Sequence, residues 1–154
     1  MAAIQVGNLA PDFTSPSQTG QQVSLDAYRG KNVVVLFFYP KDGTAICTKE
    51  ACRFRDAYED FAQAGAVVLG VSSDSAESHQ AFAADHRLPF VLLSDREGTL
   101  RRAFGVPKTL GFLPGRVTYV IDRDGVVRHV FCSQLSADRH VAEALAVVRQ
   151  LHLP

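Results

Sequence analysis

Two cysteines five positions apart, Cys47 and Cys52, lie in the stretch VVVLFFYPKDGTAICTKEACRFRDAYEDF that runs from Val33 to Phe61. A thiol does chemistry as its thiolate, the nucleophile of disulfide exchange and of oxidation by peroxides. Cys47 stands where a short loop gives way to an amphipathic helix. The unpaired backbone N–H groups and the positive end of the helix dipole meet a sulfur there, and both favour the thiolate. The plainer alternative is a small buried core residue, because Cys47 also falls on the apolar stripe Cys47, Ala51, Phe54, Tyr58, Phe61. Flanking Gly43, Thr44 and Thr48, together with the helix start, favour reactivity. Cys52 is about 500° of helical rotation further on. It therefore points off the stripe, among Arg55, Asp56 and Glu59. Exposed free thiols are a liability, so two cysteines this close suggest a redox pair more than a tolerated surface residue.

Other chemistries fit these residues less well. A zinc site wants four Cys or His ligands, often in close pairs, and the 5 histidines are scattered. A Cys–His hydrolase needs a base; His79, His86, His129 and His140 are candidates, and nothing local favours one. His140 and His152 read as surface residues of the last helix. Arg116 opens an apolar strand ending at Asp122, and spacing leaves open whether it serves a site or decorates an edge. Cys132 ends a strand without a partner in sequence and reads as a partly buried thiol.

The elements that must hold Cys47 follow in order. Phe13 and Val23 mark two short strands about a Gln18–Gln21 turn, and Ser24–Tyr28 reads as a helical turn before Gly30. Val33–Phe38 is β-branched and aromatic without alternation, so both faces should be covered, as in a central strand of an α/β sheet. Pro40 closes it. Thr44 is placed as N-cap of a helix that runs to Gly65. Ala66–Val71 completes β-α-β, which implies a right-handed parallel pair. Ala76–His86 reads as a helix anchored by Phe82, Pro89–Leu93 as a strand, Glu97–Phe104 as a helix closed by Gly105, and Lys108–Arg116 as a loop. Val117–Ile121 and Val126–Phe131 flank the hairpin signal Asp122–Gly125. Ser136 caps a final helix, Ala137–Leu151. A central mixed sheet flanked by helices, with an N-terminal β-hairpin extension, is the arrangement of a thioredoxin-like α/β fold, which puts chemistry at the carboxyl end of the first central strand.

Composition narrows the setting. With 154 residues a single domain spanning 1–154 is expected, large enough for a core without disulfide staples. Lys plus Arg equals Asp plus Glu at 16 each, so no global field draws nucleic acid or an anionic membrane. The run Val33–Tyr39 is too short to span a bilayer, and Met1–Gly7 lacks the basic start and apolar core of a signal peptide. Three cysteines in such a chain imply a reducing compartment, hence a cytoplasmic protein.

The motif Pro40-x-x-x-Thr44-x-x-Cys47 resembles the active-site signature of the peroxiredoxins. The longer runs Phe38–Asp42, Cys47–Cys52 and Phe54-Arg55-Asp56 are similar to the peroxiredoxin Q, or bacterioferritin comigratory protein, branch. Pro11-Asp12-Phe13 and Arg116-x-Thr118-Tyr119-Val120-Ile121-Asp122 with Asp124-Gly125 extend the resemblance over nearly the whole chain. It implies a thiol-dependent peroxidase acting on hydrogen peroxide and organic hydroperoxides, with Cys47 as peroxidatic cysteine and Cys52 as the resolving cysteine that some members carry on the same helix. Thr44 and Arg116 would hydrogen-bond the thiolate and the peroxide oxygens, and Pro40 would shield the pocket. It further implies no cofactor or metal, recycling by thioredoxin or a similar dithiol, and a monomer, with a dimer as the alternative. Many members have Pro-Gly between threonine and cysteine where this chain has Ala45-Ile46, and Cys132 lies outside the pattern. Two rival functions remain at this level: a thioredoxin-like disulfide oxidoreductase, for which the four-residue gap between the cysteines is too wide, and a non-enzymatic redox sensor or holdase.

Overall fold

A computed structural model of the chain describes residues 3–109 and 113–152. Its centre is a five-stranded mixed sheet in the order β5-β4-β3-β8-β9. These strands are β3 (Val33–Phe38), β4 (Ala66–Ser72), β5 (Val91–Ser94), β8 (Val117–Ile121) and β9 (Val127–Cys132). The N-terminal hairpin of β1 (Thr14–Pro16) and β2 (Gln22–Ser24) forms its own small sheet, as does the pair β6 (Lys108–Thr109) and β7 (Leu113–Pro114). The helices are α1 (Ala45–Asp56), α2 (Tyr58–Gln63), α3 (Ala76–His86), α4 (Thr99–Phe104) and α5 (Ala137–His152). Among the described residues no helix is long and apolar enough to cross a membrane.

The unbroken apolar sequence of β3 is explained by its position. It pairs in parallel with β4 and antiparallel with β8, and every one of its residues is buried. Its side chains alternate between two cores. Val33, Val35 and Phe37 join Cys47, Ala51, Phe54, Phe61, Ala144 and Val148 on the α1–α5 side. Val34, Leu36 and Phe38 join Phe13, Leu100, Phe104 and Tyr119 on the side covered by α4 and the N-terminal segment. Phe37 and Phe54 stack with ring centroids 4.4 Å apart, which fixes α1 against the sheet.

Several boundaries differ from the sequence reading. The helix expected to run from its Thr44 cap to Gly65 is divided at Ala57, whose φ of −94° and ψ of 2° are not helical. The change of direction leaves Phe54 and Phe61 both fully buried. Part of the expected Lys108–Arg116 loop is the short β6–β7 pairing; residues 110–112 lie outside the described residues. The β8–β9 hairpin carries an irregularity between Val120 and Ile121, so β9 starts at Val127. By contrast α3 has the expected bounds, and Ser75 caps it by accepting from the Ser78 N–H.

Candidate active site

β3 ends at Phe38, and the chain turns through Tyr39–Gly43 into α1. Gly43 makes that turn with a φ of 81°, a conformation costly for any residue with a Cβ. Thr44 occupies the N-cap position with extended backbone, and its carbonyl accepts from the Thr48 N–H. Its side chain does not cap the helix as expected: the exposed hydroxyl donates to the Lys41 carbonyl at 3.1 Å. Cys47 is the third helical residue, with an N–H among the first-turn donors that no helical carbonyl can reach. Its side chain is buried, at 1% exposure. Pro40 is half-buried in the preceding loop and Cys52 half-buried five positions along α1.

Arg116 arrives from the start of β8, which the sheet places beside β3 with Phe38 opposite Val117. Its guanidinium is buried and every nitrogen donates. Nη2 reaches Cys47 Sγ at 3.2 Å, Nη1 reaches Glu50 Oε1 at 2.8 Å, and Nε reaches the Gln134 carbonyl at 3.1 Å. One cation thus faces a sulfur and a carboxylate. Burial works against its charge, and the Glu50 and Cys47 charges outweigh burial and raise its pKa.

Glu50 is the residue the sequence reading missed. No motif in the sequence singles it out, yet its side chain is fully buried. The available signal was its spacing: three residues from Cys47 is about 300° of rotation, the same face of the helix. Burial pushes its carboxyl up to about 7, against the charge and hydrogen bond of Arg116. Oε2 has no hydrogen-bond partner among the described residues and lies 3.5 Å from His140 Nδ1. His140 is a further correction. It is not a surface residue but fully buried on α5, on the stripe it shares with Ala144 and Val148. Its Nε2–H donates to the Ser133 carbonyl at 2.7 Å, which leaves Nδ1 to accept from the Thr118 hydroxyl at 2.7 Å. Burial pushes the ring down to about 4, against the Ser133 hydrogen bond and aided by the nearby Arg116 charge. The Nδ1 lone pair is thus taken by the Thr118 hydroxyl, and an ionised Glu50 would set its Oε2 charge against that lone pair at 3.5 Å with no hydrogen-bond donor among the described residues.

This arrangement has a measurable pH consequence. A carboxyl whose folded-state pKa is raised contributes its stability fully below its unfolded value, near 4.5, and loses it as pH climbs toward 7. Relative to wild type, Glu50→Gln should gain stability across that window, by about 3 kcal/mol at most. Urea unfolding of reduced protein at several pH values checks this. A difference that does not grow from pH 4.5 to 7 would contradict a neutral Glu50. Comparing the two proteins removes the opposing contribution of His140, whose lowered pKa costs stability as pH falls from 6.5 toward 4.

Asp42, Asp74 and His79 form a second, partly buried cluster near the loop, with donor atoms close enough to hold a metal ion. Protein donors already fill it. Asp74 Oδ2 accepts from the Asp42 N–H and the Ser72 hydroxyl, and Asp42 accepts from Tyr39, Ser78 and His79. His79 also donates from Nε2 to the Leu93 carbonyl at 2.9 Å. Burial opposes ionisation of Asp42, but these hydrogen bonds outweigh it and hold its carboxyl below the usual range. The cluster ties the loop before Cys47 to α3 and β5. Cys132, read from the sequence as partly buried, is instead exposed at the end of β9, and among the described residues no contact places it with Cys47 or Cys52.

A loop-to-helix cysteine under a strand-borne arginine, on a thioredoxin-like sheet, defines a class of thiol enzyme. The chain belongs to the AhpC/TSA family, whose model matches residues 6–130. Within it the resemblance is to peroxiredoxin Q. The chloroplastic peroxiredoxin Q of Sedum lineare is 50% identical over 151 residues, 97% of this chain and 81% of that protein. The solved structure of peroxidoxin BcpB from Mycobacterium tuberculosis superposes with a TM-score of 0.89 at 41% identity, covering 96% of this chain and 98% of that one. A structure of the Xanthomonas campestris bacterioferritin comigratory protein, studied for its alkyl peroxide reduction activity, gives a TM-score of 0.86 at 30% identity, covering 99% and 100%.

Proposed function

We propose that this chain is a thiol peroxidase in which the Cys47 thiolate attacks a hydroperoxide, Cys52 resolves the product, and an external dithiol such as thioredoxin restores both thiols. The observation that carries the reading is the 3.2 Å contact between Arg116 Nη2 and Cys47 Sγ at a helix start. A guanidinium held there stabilises the thiolate and meets the charge that develops on the departing oxygen without reorganising. The sulfur–oxygen bond forms as the oxygen–oxygen bond breaks, giving a sulfenic acid on Cys47 and an alcohol or water. In the same reading Pro40 limits solvent access to the sulfur, and the Thr44 hydroxyl turns from the Lys41 carbonyl to the bound peroxide.

Resolution by Cys52 requires α1 to unwind. On an intact helix the rise over five residues is about 7.5 Å and the chord about 4.3 Å, which separates the two Cα atoms by about 8.7 Å. A disulfide tolerates roughly 4.4–6.8 Å. Both cysteines are free and within one helix in the reduced protein. Unwinding breaks the Lys49 and Arg53 pairs to Asp138, which are exposed and weak. It also returns Glu50 to water, which relieves the cost of burying it and offsets part of the packing lost at Ala51.

The test is hydroperoxide consumption with a dithiol donor, followed by disulfide mapping and amide exchange across residues 45–55. The reading expects consumption, a Cys47–Cys52 bond, and protection lost in that segment on oxidation. A mapped Cys47–Cys52 bond with unchanged protection would contradict the unwinding. Consumption without that bond would leave a one-cysteine mechanism. No consumption would favour a disulfide oxidoreductase or a sensor. The cytoplasmic setting expected from the cysteines is separate from the chemistry, since the plant relatives are chloroplastic.

A further inference from the structure

Arg101 carries more of the site than its distance from Cys47 in sequence suggests. It lies on α4, half-buried, with its guanidinium 5.7 Å from the centre of the Phe38 ring. Nη1 donates to the Gly115 carbonyl at 3.1 Å and Nη2 to the Tyr39 carbonyl at 3.3 Å. Those carbonyls immediately precede Arg116 and Pro40. β3 and β8 are paired as far as Phe38 opposite Val117. Beyond that pair the two chains part, one toward Cys47 and the other away from Arg116. The Arg101 fork spans the gap just where ladder hydrogen bonds stop.

The brace is itself anchored. The buried Asp95 carboxylate accepts from the backbone N–H groups of Leu100 and Arg101 at 3.0 and 3.1 Å, which fixes the first turn of α4. Gly115 is pressed so closely on the chain that an added Cβ would meet the Pro107 carbonyl oxygen at 2.2 Å. The carbonyl that Arg101 holds thus sits on a backbone with little room to shift.

Resting on the reading of Cys47 and Arg116 above, we propose that Arg101 is a positioning residue that braces the Tyr39 and Gly115 carbonyls and so sets the distance between the Arg116 guanidinium and the Cys47 sulfur. It touches neither the sulfur nor the peroxide. A planar fork suits two carbonyls in divergent chains, whereas the single ammonium of lysine does not.

Arg101→Lys keeps the charge and the aliphatic stem over Phe38 and loses only the fork. Three measurements on the reduced full chain decide the matter: the second-order rate of Cys47 oxidation by hydrogen peroxide, thiolate absorbance near 240 nm against pH, and the thermal midpoint. A misplacement on the order of 1 Å can cost about 100-fold in rate. The proposal expects Arg101→Lys to lose about 10- to 100-fold, with less thiolate at neutral pH, while the protein stays folded. Arg101→Gln, which can still donate to one carbonyl, should fall at or below the lysine variant. A folded Arg101→Lys protein with wild-type rate and thiolate profile would overturn the proposal and leave the reading of Cys47 intact. A lowered thermal midpoint with an unchanged rate would overturn it too, since that is the mark of a purely structural residue.

Discussion

Cys47→Ser is expected to bring hydroperoxide turnover down to background, a loss of at least about 1,000-fold. Serine is nearly isosteric, so Phe37, Ala51 and Phe54 should keep their packing around position 47. Arg116 and Glu50 remain in place, and the pocket can still bind peroxide. What is lost is the nucleophile, because a serine alkoxide is not available at neutral pH. The checks are turnover with a dithiol donor and a thermal midpoint close to wild type. Turnover above a tenth of wild type in the folded variant would remove Cys47 from the chemistry.

Arg116→Ala should have the next largest effect, about 100- to 1,000-fold in the single-turnover rate of Cys47 with peroxide. The substitution removes the donor to the sulfur and also strands Glu50, whose Oε1 loses its only described partner. Removing one partner of a buried pair ordinarily costs roughly 3–5 kcal/mol. Here the loss should depend on pH. Near pH 6 Glu50 holds its proton and the stranded group is neutral; near pH 8 the wild-type group is ionised and leans on Arg116. The stability lost should therefore be larger at pH 8, while the rate is reduced at both. The double variant Arg116→Ala, Glu50→Gln should recover the pH-8 stability without recovering the rate. A single variant that oxidises within threefold of wild type would make Arg116 an edge residue, the alternative that its spacing alone left open.

These expectations rest on features that were unequally legible in the sequence. The run Val33–Phe38 announced a strand covered on both faces, and Phe82 anchored the expected α3, because each signal is local and packing agreed with it. The break at Ala57 was invisible, since no Gly or Pro marks it and the apolar stripe runs through it. Thr44 was correctly placed at the helix start, but a sequence does not say whether a hydroxyl turns to its own helix or to Lys41. The meeting of Arg116 with Cys47 spans 69 positions, and only the pairing of β8 with β3 creates it. Spacing could not have found it; the family resemblance did. Glu50 was not singled out and His140 was read as a surface residue, because charge and polarity predict exposure unless a distant partner neutralises them, and their partners come from other elements. Arg101 was not singled out, because its role lies in two backbone carbonyls that carry no sequence signature.

The central claim is that the sulfur beneath Arg116 is the atom that attacks peroxide. It is tested most directly in reduced Cys52→Ser protein, where resolution on the same helix is blocked. One equivalent of hydrogen peroxide is added with dimedone to trap sulfenic acid, and the adduct is located by mass spectrometry. The account predicts a single adduct on Cys47, formed at a rate that Arg116→Ala slows. Peroxide consumed with the adduct on Cys132, or with Cys47 recovered as free thiol, would contradict it.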